Sequence, residues 1–262
     1  DTSEEMSTAN QFMQNSDLDV DKLGNTLYIR KVSAKNVVKP GNTVEMDADL
    51  LTWETDTETA VSVTPTFYYS AVSLSEQVKQ RLMAYPKFEA AIRKQFLRHI
   101  AEQIDLDAGG LGDGLSNFVS DVNLNAALLR NALGTLRTNA QREYNTGKVS
   151  AVLRIHPSQQ QHLYGIPEIN NAEMRGEGAP NATGILVKAW GCDVAVTGNI
   201  ESSGGNRQNL LFIKPAFALV YNQEPMLEPP QRNGLATLLI AFADAGIAEI
   251  YDEYGVSVRT TA

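Results

Sequence analysis

The segment from Phe88 to Asp107 has the strongest periodicity in this chain of 262 residues. Apolar residues recur there at every fourth position: Phe88, Ile92, Phe96, Ile100 and Ile104. This spacing places them on one face of a helix, and it predicts a long amphipathic α-helix. The remaining face is polar and fairly basic, with Lys87, Glu89, Arg93, Lys94, Arg98 and Glu102. Asp107-Ala108-Gly109-Gly110 predicts the end of the helix, and residues 109–122 then predict a glycine-rich loop.

Residues 26–70 have the pattern of β structure. Val44, Met46 and Ala48 alternate with acidic residues, as in a half-buried strand, and a second apolar run follows at residues 61–69. Residues 52–59 between the two runs are polar and β-prone. The segment therefore predicts a long hairpin with an acidic tip. Residues 1–24, which lack a sustained period, predict an arm that either dangles or docks onto another surface.

The rest of the chain has the patterns of both helices and strands, and we predict the α+β class. A capping box at Ser73-Leu74-Ser75-Glu76 predicts a helix that runs to about Tyr85. Further helices are predicted at 124–144 and 158–164, and a loop is predicted at 167–184. Strands are predicted at 149–155, 184–189, 194–197, 210–213, 217–221, 235–250 and 256–259. Pro225, Pro229 and Pro230 predict a turn or a passage between subdomains.

The net charge of −9, from 22 basic and 31 acidic residues, argues against a dedicated nucleic-acid binder. The predicted hairpin has a segregated charge: Lys and Arg are absent between Lys39 and Lys79, and it carries the acids Glu45, Asp47, Asp49, Glu54, Asp56 and Glu58. One interpretation is a solvated polar face. The other is an extended arm that docks on a basic patch of a neighbouring subunit, because a long hairpin has little core of its own.

The sequence contains only weak matches to motifs of catalytic, metal-binding or phosphate-binding sites. His99, His156 and His162 lack a compact metal-ligand spacing, and the single cysteine, Cys192, is expected to be a small buried hydrophobe. Asp105 begins a poor match to a calcium loop, because Ser116 stands where the loop needs Glu. The glycines after it lack the context of a phosphate-binding loop. We therefore predict no catalytic, cofactor-binding or metal residues, no enzyme activity, and no transmembrane helix, because no run of 18 apolar residues occurs.

The order of these elements resembles the major capsid proteins of tailed bacteriophages, which have the Hong Kong 97-type fold. Phe88–Asp107 resembles the spine helix of that family, with its Ile104-Asp105 ending. Leu153-Arg154-Ile155-His156-Pro157 resembles a strand and turn of the axial (A) domain. Residues 248–256 resemble the closing strands. The resemblance implies an N-terminal arm at 1–24, an E-loop region at 25–72, a peripheral (P) domain at 73–122 and 223–262, and an A-domain at 123–222.

The resemblance also implies a function in assembly. Copies would form pentamers and hexamers of an icosahedral head in the virion, assembled in the host cytoplasm, that encloses double-stranded DNA without sequence-specific binding or membrane contact. Portal, scaffolding and decoration proteins would be further partners. The expected inter-subunit contacts join the six acids of the hairpin and Trp53 to the basic residues Lys79, Arg81, Arg93, Lys94 and Arg98. Residues 43–62 contain no lysine, so we expect shells without the covalent crosslinks of some family members.

Two other interpretations remain open from the sequence. An encapsulin, the shell of a bacterial nanocompartment, has the same fold and packages cargo enzymes instead of DNA. A cytosolic α+β enzyme with a site of dispersed residues would be a compact monomer or small oligomer, with residues 40–70 packed on its own domain.

Overall fold

The computed structural model describes residues 8–23, 26–31, 59–75, 77–78, 87–141, 143, 150–170, 188–200, 202–203, 205–234 and 236–261. Its α-helices are α1 (Lys87–Gly114), α2 (Ala126–Asn139), α3 (Pro157–Tyr164) and α4 (Pro167–Asn170). Its strands up to the second helix are β1 (Val20–Leu23), β2 (Thr26–Lys31), β3 (Thr59–Val63), β4 (Thr66–Ser75) and β5 (Phe118–Asp121). The later strands are β6 (Ala151–Ile155), β7 (Lys188–Ala189), β8 (Cys192–Val196), β9 (Ser202–Ser203), β10 (Asn206–Ile213), β11 (Phe217–Leu227), β12 (Gln231–Asn233), β13 (Ala236–Glu249) and β14 (Gly255–Thr261).

These strands form three sheets among the described residues, which confirms the α+β class. A three-stranded sheet has the order β1-β2-β3. A seven-stranded sheet has the order β5-β14-β10-β6-β8-β7, with β9 on β10, and it is mixed, because β14 is parallel to β5 and β6 is parallel to β8. In a four-stranded sheet, β13 is paired with β11, β12 and β4, all antiparallel.

The predicted long helix is present as α1, but it continues through Gly109 and Gly110 and is 28 residues long. The predicted stop and the loop from residue 109 are therefore wrong. The reason is a close approach: a Cβ on Gly109 would lie 2.4 Å from Nη1 of Arg154. Gly109 lacks a Cβ and so leaves room for the Arg154 side chain, and it does not end the helix. The second half of the predicted loop also contains a strand, β5.

The apolar stripe of α1 contacts two sheets at once. Ile100, Ala101 and Ile104 are buried in one cluster with Phe212 of the seven-stranded sheet and Ala243 of the four-stranded sheet. Helix α2 instead belongs to a second cluster, with residues of the seven-stranded sheet and with Leu163 and Ile169. The leucine spacing of the predicted helix at 124–144 places five leucines on one side, and all five are buried. Four lie in α2 and one just before it: Leu128, Leu129, Leu133 and Leu136, and Leu124.

The capping box at Ser73 does not begin a helix. Ser73 and Ser75 belong to β4, where they pair with Leu238 and Ala236 of β13. Long-range pairing with an apolar strand therefore outweighs a local capping signal in this segment. Gln77 and Val78 are helical, and the rest of the predicted helix to Tyr85 lies outside the described residues.

The described ends of the predicted hairpin belong to two sheets. Val61 and Val63 pair with Ile29 and Leu27 of β2 in the three-stranded sheet. After Pro65 the chain enters β4 in the four-stranded sheet, so the apolar run at 61–69 is two strands rather than one. Residues 32–58, with the predicted strand at 44–48 and the acidic tip, lie outside the described residues.

The remaining predicted strands are largely confirmed. β6, β8, β10, β11, β13 and β14 lie where the pattern placed them, and α3 follows His156-Pro157 as expected. Pro225 lies within β11, beside a shift in the pairing of β11 with β13, and is not in a turn. β13 and β14 enter different sheets, although they are consecutive. The domain boundaries 1–24, 25–72, 73–122 with 223–262, and 123–222 stay predictions.

Candidate subunit-contact surfaces and the buried polar centre

Only three of the predicted inter-subunit contact residues fall within the described part of the chain. These are Arg93, Lys94 and Arg98, all on α1. Lys94 and Arg98 are exposed and Arg93 is half-buried. Arg98 already has a partner in its own helix, because its Nε donates to Oε1 of Glu102 at 2.9 Å. The other predicted contact residues lie outside the described residues: Glu45, Asp47, Asp49, Trp53, Glu54, Asp56, Glu58, Lys79 and Arg81.

A buried ion pair lies where α1 meets the seven-stranded sheet. Nη2 of Arg154 on β6 lies 3.2 Å from Oδ2 of Asp105 on α1, and the side chains are 2% and 0% exposed. Nη2 also donates to the main-chain oxygens of Asp105 and Asn199, and the Asn199 amide donates to Oδ2 of Asp105 at 3.1 Å. Burial lowers the pKa of Arg154 to about 10, against the opposing effect of Asp105, so the guanidinium remains charged at neutral pH.

The second oxygen of Asp105 holds the N-terminal segment. The main-chain N–H groups of Thr8 and Ala9 donate to Oδ1 of Asp105 at 2.6 and 3.1 Å. The carboxylate thus joins three separate parts of the chain: the N-terminal segment, α1 and, through Arg154, the sheet. Residues 8–23 dock on the rest of their own chain, and docking is one of the two outcomes expected for the arm.

Phe12 anchors the same segment in the core. Its ring centroid lies 4.9 Å from that of Phe217 and 5.4 Å from that of Phe212, and the side chain is fully buried. The next residue, Met13, forms a parallel bridge with Ala218 of β11. The N-terminal segment therefore contributes both apolar area and hydrogen bonds to the folded subunit.

This centre is not among the features predicted from the sequence, although two signals for it are present. Arg154 is the lone charged residue in a strand whose other members, Ala151 to Ile155, are apolar and buried. Asp105 follows Ala101 by four residues, so it continues the apolar stripe of α1. Opposite charges on two buried faces predict that the two side chains form an ion pair, because burying an unpaired charge has a high free-energy cost.

Exposed apolar side chains concentrate on two strands. Phe67 and Tyr69 of β4 are 59% and 71% exposed, and their rings stack at 6.2 Å. On β5 and just after it, Phe118 and Val122 are 56% and 65% exposed. The Phe118 ring is covered in part by the guanidinium of Arg259, 4.6 Å away. Large exposed apolar groups of this kind mark interaction surfaces when they cluster.

Two of the histidines and the single cysteine have structural surroundings in this fold. His99 is exposed and bonded to Gln95, as expected of a surface residue. His156 caps α3 by accepting from the Ser158 N–H, and burial, followed by the charge of Arg207, lowers its pKa. Cys192 is buried, as predicted, and burial raises the pKa of its thiol to about 11. Within the described ranges, no three His, Cys, Asp or Glu side chains form a metal-binding group.

No helix in the described part of the chain combines the length and the apolar character that a membrane span requires.

Solved structures similar to this chain show its fold, which is that of the tailed-bacteriophage capsid proteins. A chain from Mycobacterium phage Che8 matches with a TM-score of 0.68 and 14% identity, over 90% of this chain and 85% of that one. The capsid of cyanophage P-SCSP1u matches with a TM-score of 0.68 and 12% identity, over 96% and 86%. The head of Helicobacter pylori bacteriophage KHP40 matches with a TM-score of 0.67 and 11% identity, over 90% and 85%. No protein-family model and no curated protein sequence matches the chain.

Proposed function

We propose that this chain is the major capsid protein of a tailed bacteriophage, a structural protein of the virion. The observation that carries the proposal is the extent of the structural likeness: 90% to 96% of the chain aligns with chains from phage particles, including a capsid and a head. A structural function also agrees with three of the side chains, because His156 caps a helix, His99 lies on the surface and Cys192 is packed in the core.

The proposed architecture follows the capsid fold in its named parts. Residues 1–24 are the N-terminal arm and 25–72 the E-loop region, whose described ends pair as β2 and β3. Helix α1, 28 residues long, is the spine helix of the P-domain at 73–122 and 223–262. Residues 123–222 form the A-domain. In this arrangement the chain assembles with itself into pentamers and hexamers of an icosahedral head around double-stranded DNA, with portal, scaffolding and decoration proteins as further partners.

The acidic segment at 45–58 is proposed to contact the basic side of a neighbour's α1. The charge segregation along the sequence supports this, and so does the exposure of Lys94 and Arg98. Of these two, Lys94 is the stronger candidate, because Arg98 is paired with Glu102. The double variant Glu54→Lys with Asp56→Lys should prevent shell formation while the subunit still folds. The double variant Glu224→Lys with Glu253→Lys, which makes the same change of charge at two exposed acids outside the proposed contact, is the matched control. Normal shells from the double variant would refute the contact.

The shells are proposed to be held by non-covalent contacts. The absence of lysine between residues 43 and 62 supports this, because a crosslink from that part of the hairpin would require a lysine side chain. Purified shells should therefore dissociate into single chains on a denaturing gel. Ladders of covalent oligomers would contradict the proposal.

Negative-stain electron microscopy of the purified protein tests the proposed function. We expect closed shells, or rings of five and six subunits, when the chain is expressed alone or together with the neighbouring phage genes. Uniform small particles under every condition would overturn the capsid function. Mass measurement of the same sample by light scattering separates a true shell from an aggregate, because a shell has one defined mass.

A further inference from the structure

The two edges of the four-stranded sheet differ in how they are protected. The β11 edge is covered by the chain's own N-terminal segment. Met13 donates to Phe217 at 3.0 Å and accepts from Leu219 at 2.9 Å, and the Asn15 side chain bonds both main-chain groups of Tyr221. β11 also contains two shifts in its pairing with β13. Cover and irregularity are devices by which proteins prevent a sheet edge from pairing with other chains.

The β4 edge has none of these devices among the described residues. β4 is ten residues long, contains neither proline nor a charged residue, and pairs with β13 without a shift from Thr66 to Ser75. No other described strand pairs with it. One row of its main-chain N–H and C=O groups is therefore available for a further strand.

Two aromatic side chains stand on this same strand. Phe67 and Tyr69 are the most exposed large apolar residues of the sheet, and Phe67 also stacks on Phe242 of β13 at 5.6 Å. In strand addition, the main chain supplies affinity and alternate side chains supply contacts that select the partner. The β4 edge has both features: main-chain groups available for pairing and exposed aromatic side chains.

We infer that the β4 edge pairs with a strand from a second copy of this chain. The chemistry of the edge requires an extended polypeptide as its occupant. Charge favours a second copy at this place: each subunit carries a net charge of −9 and repels another, but β4 contributes no charge along its ten residues. Two copies therefore meet there without opposing like charges. The inference rests on the proposed function, because a shell is what brings copies of the chain together.

Hydrogen–deuterium exchange tests the pairing directly, with unassembled subunits and shells made from this chain alone. We expect about half of the amides of residues 66–75, those on the outer side of β4, to exchange rapidly in subunits and at least tenfold more slowly in shells. Amides in the centre of β13 should be protected in both samples. Equal exchange in both samples would overturn the inference, and so would protection of β4 that is already complete in subunits, because the chain itself would then cover the edge.

Edge-blocking variants give a second test. Ala71→Lys and Ser73→Lys place a charge on exposed positions of β4, and Asn233→Lys places the same charge on exposed β12 of the same sheet. We expect the β4 variants to melt as the wild type does but to form at least tenfold fewer shells, whereas Asn233→Lys assembles normally. Normal assembly of the β4 variants would overturn the inference and leave the capsid function intact. Failure of the wild type to form shells under every condition, including co-expression with the neighbouring phage genes, would overturn both. Should a β4 variant misfold, the exchange result on the wild type decides.

Discussion

Nη2 of Arg154 and Oδ2 of Asp105 lie 3.2 Å apart with both side chains excluded from solvent, and this ion pair joins β6 to α1. Replacing Arg154 with Met keeps most of the side-chain volume but leaves the carboxylate buried without its cation. We expect the free energy of unfolding to fall by about 3–5 kcal/mol, measured by urea denaturation. Arg98→Met, which breaks the exposed pair with Glu102, is the control and should cost less than about 1 kcal/mol. Equal losses in the two variants would refute the special cost of the buried pair.

Two glycines in helices should respond in opposite directions to replacement by alanine. A Cβ on Gly109 would meet Nη1 of Arg154 at 2.4 Å and the Asn199 oxygen at 2.9 Å, so Gly109→Ala should destabilise the subunit. Gly134 in α2 has no atom within 4 Å of such a Cβ, so Gly134→Ala should stabilise it by about 0.5–1 kcal/mol through helix propensity. Thermal unfolding of both variants checks the signs. A stabilising Gly109→Ala would contradict the close packing of α1 on Arg154.

Phe12 should be essential for docking of the N-terminal segment. Phe12→Ala removes a fully buried ring from contact with Phe212 and Phe217, and we expect a loss of about 3–5 kcal/mol, or release of the segment at lower cost. Limited proteolysis detects release as cleavage within residues 8–17. Phe118→Ala, at a position that is 56% exposed, should leave both the stability and the cleavage pattern of the subunit unchanged. A protected segment with unchanged stability in Phe12→Ala would show that the ring is not an anchor.

The thiol of Cys192 should be unreactive in the folded subunit. It is 3% exposed, and burial raises its pKa to about 11, so little thiolate forms at pH 8 and reagents have no access. Titration with a chromogenic disulfide should find no thiol in the native protein and one thiol per chain in urea. Rapid reaction of the native protein would show that the β8 region opens readily.

The same thiol makes stability depend on alkaline pH. In the unfolded chain its pKa is near 9.0, and in the fold it is about 11, so above pH 9 the unfolded state binds fewer protons. The free energy of unfolding therefore decreases as the pH rises from about 9 to about 11. Tyrosine ionisation contributes equally in wild type and in Cys192→Ala, so the variant should lose less stability than the wild type between pH 8 and pH 10.5 in urea titrations. Identical losses of stability in the wild type and the variant would contradict the raised pKa of Cys192.

Much of the secondary structure could be predicted because it depends on local pattern. For the leucines of α2 and the apolar residues of β6, the spacing along the sequence was enough to predict that these side chains are buried. The errors have one cause, since they occur where a distant residue decides the local conformation. Ser73 has a good capping sequence, but β13 pairs with it as a strand. Gly109 resembles a helix stop, yet the guanidinium of Arg154 requires a glycine within the helix.

The predicted contact residues illustrate the same limit. The sequence identifies a run of acids and a set of basic residues on α1, but it does not reveal that Arg98 has a partner in Glu102. Nor does it identify the β4 edge, because an edge is defined by what fails to pair with it. The charges were visible, whereas their partners were not.

The sequence by itself determined the α+β class, the long helix, and the order of elements that resembles the phage capsid proteins, because periodicity and turn residues act over a few positions. Only the tertiary structure decided that residues 8–23 dock on their own subunit and that Asp105 meets Arg154. It also decided that β11 is covered while β4 is open among the described strands. Each of these depends on groups far apart in the chain: 49 residues separate Asp105 from Arg154, and 97 separate Thr8 from Asp105. Burial brings such groups together, since desolvated charges and main-chain N–H groups are stable only when they find partners.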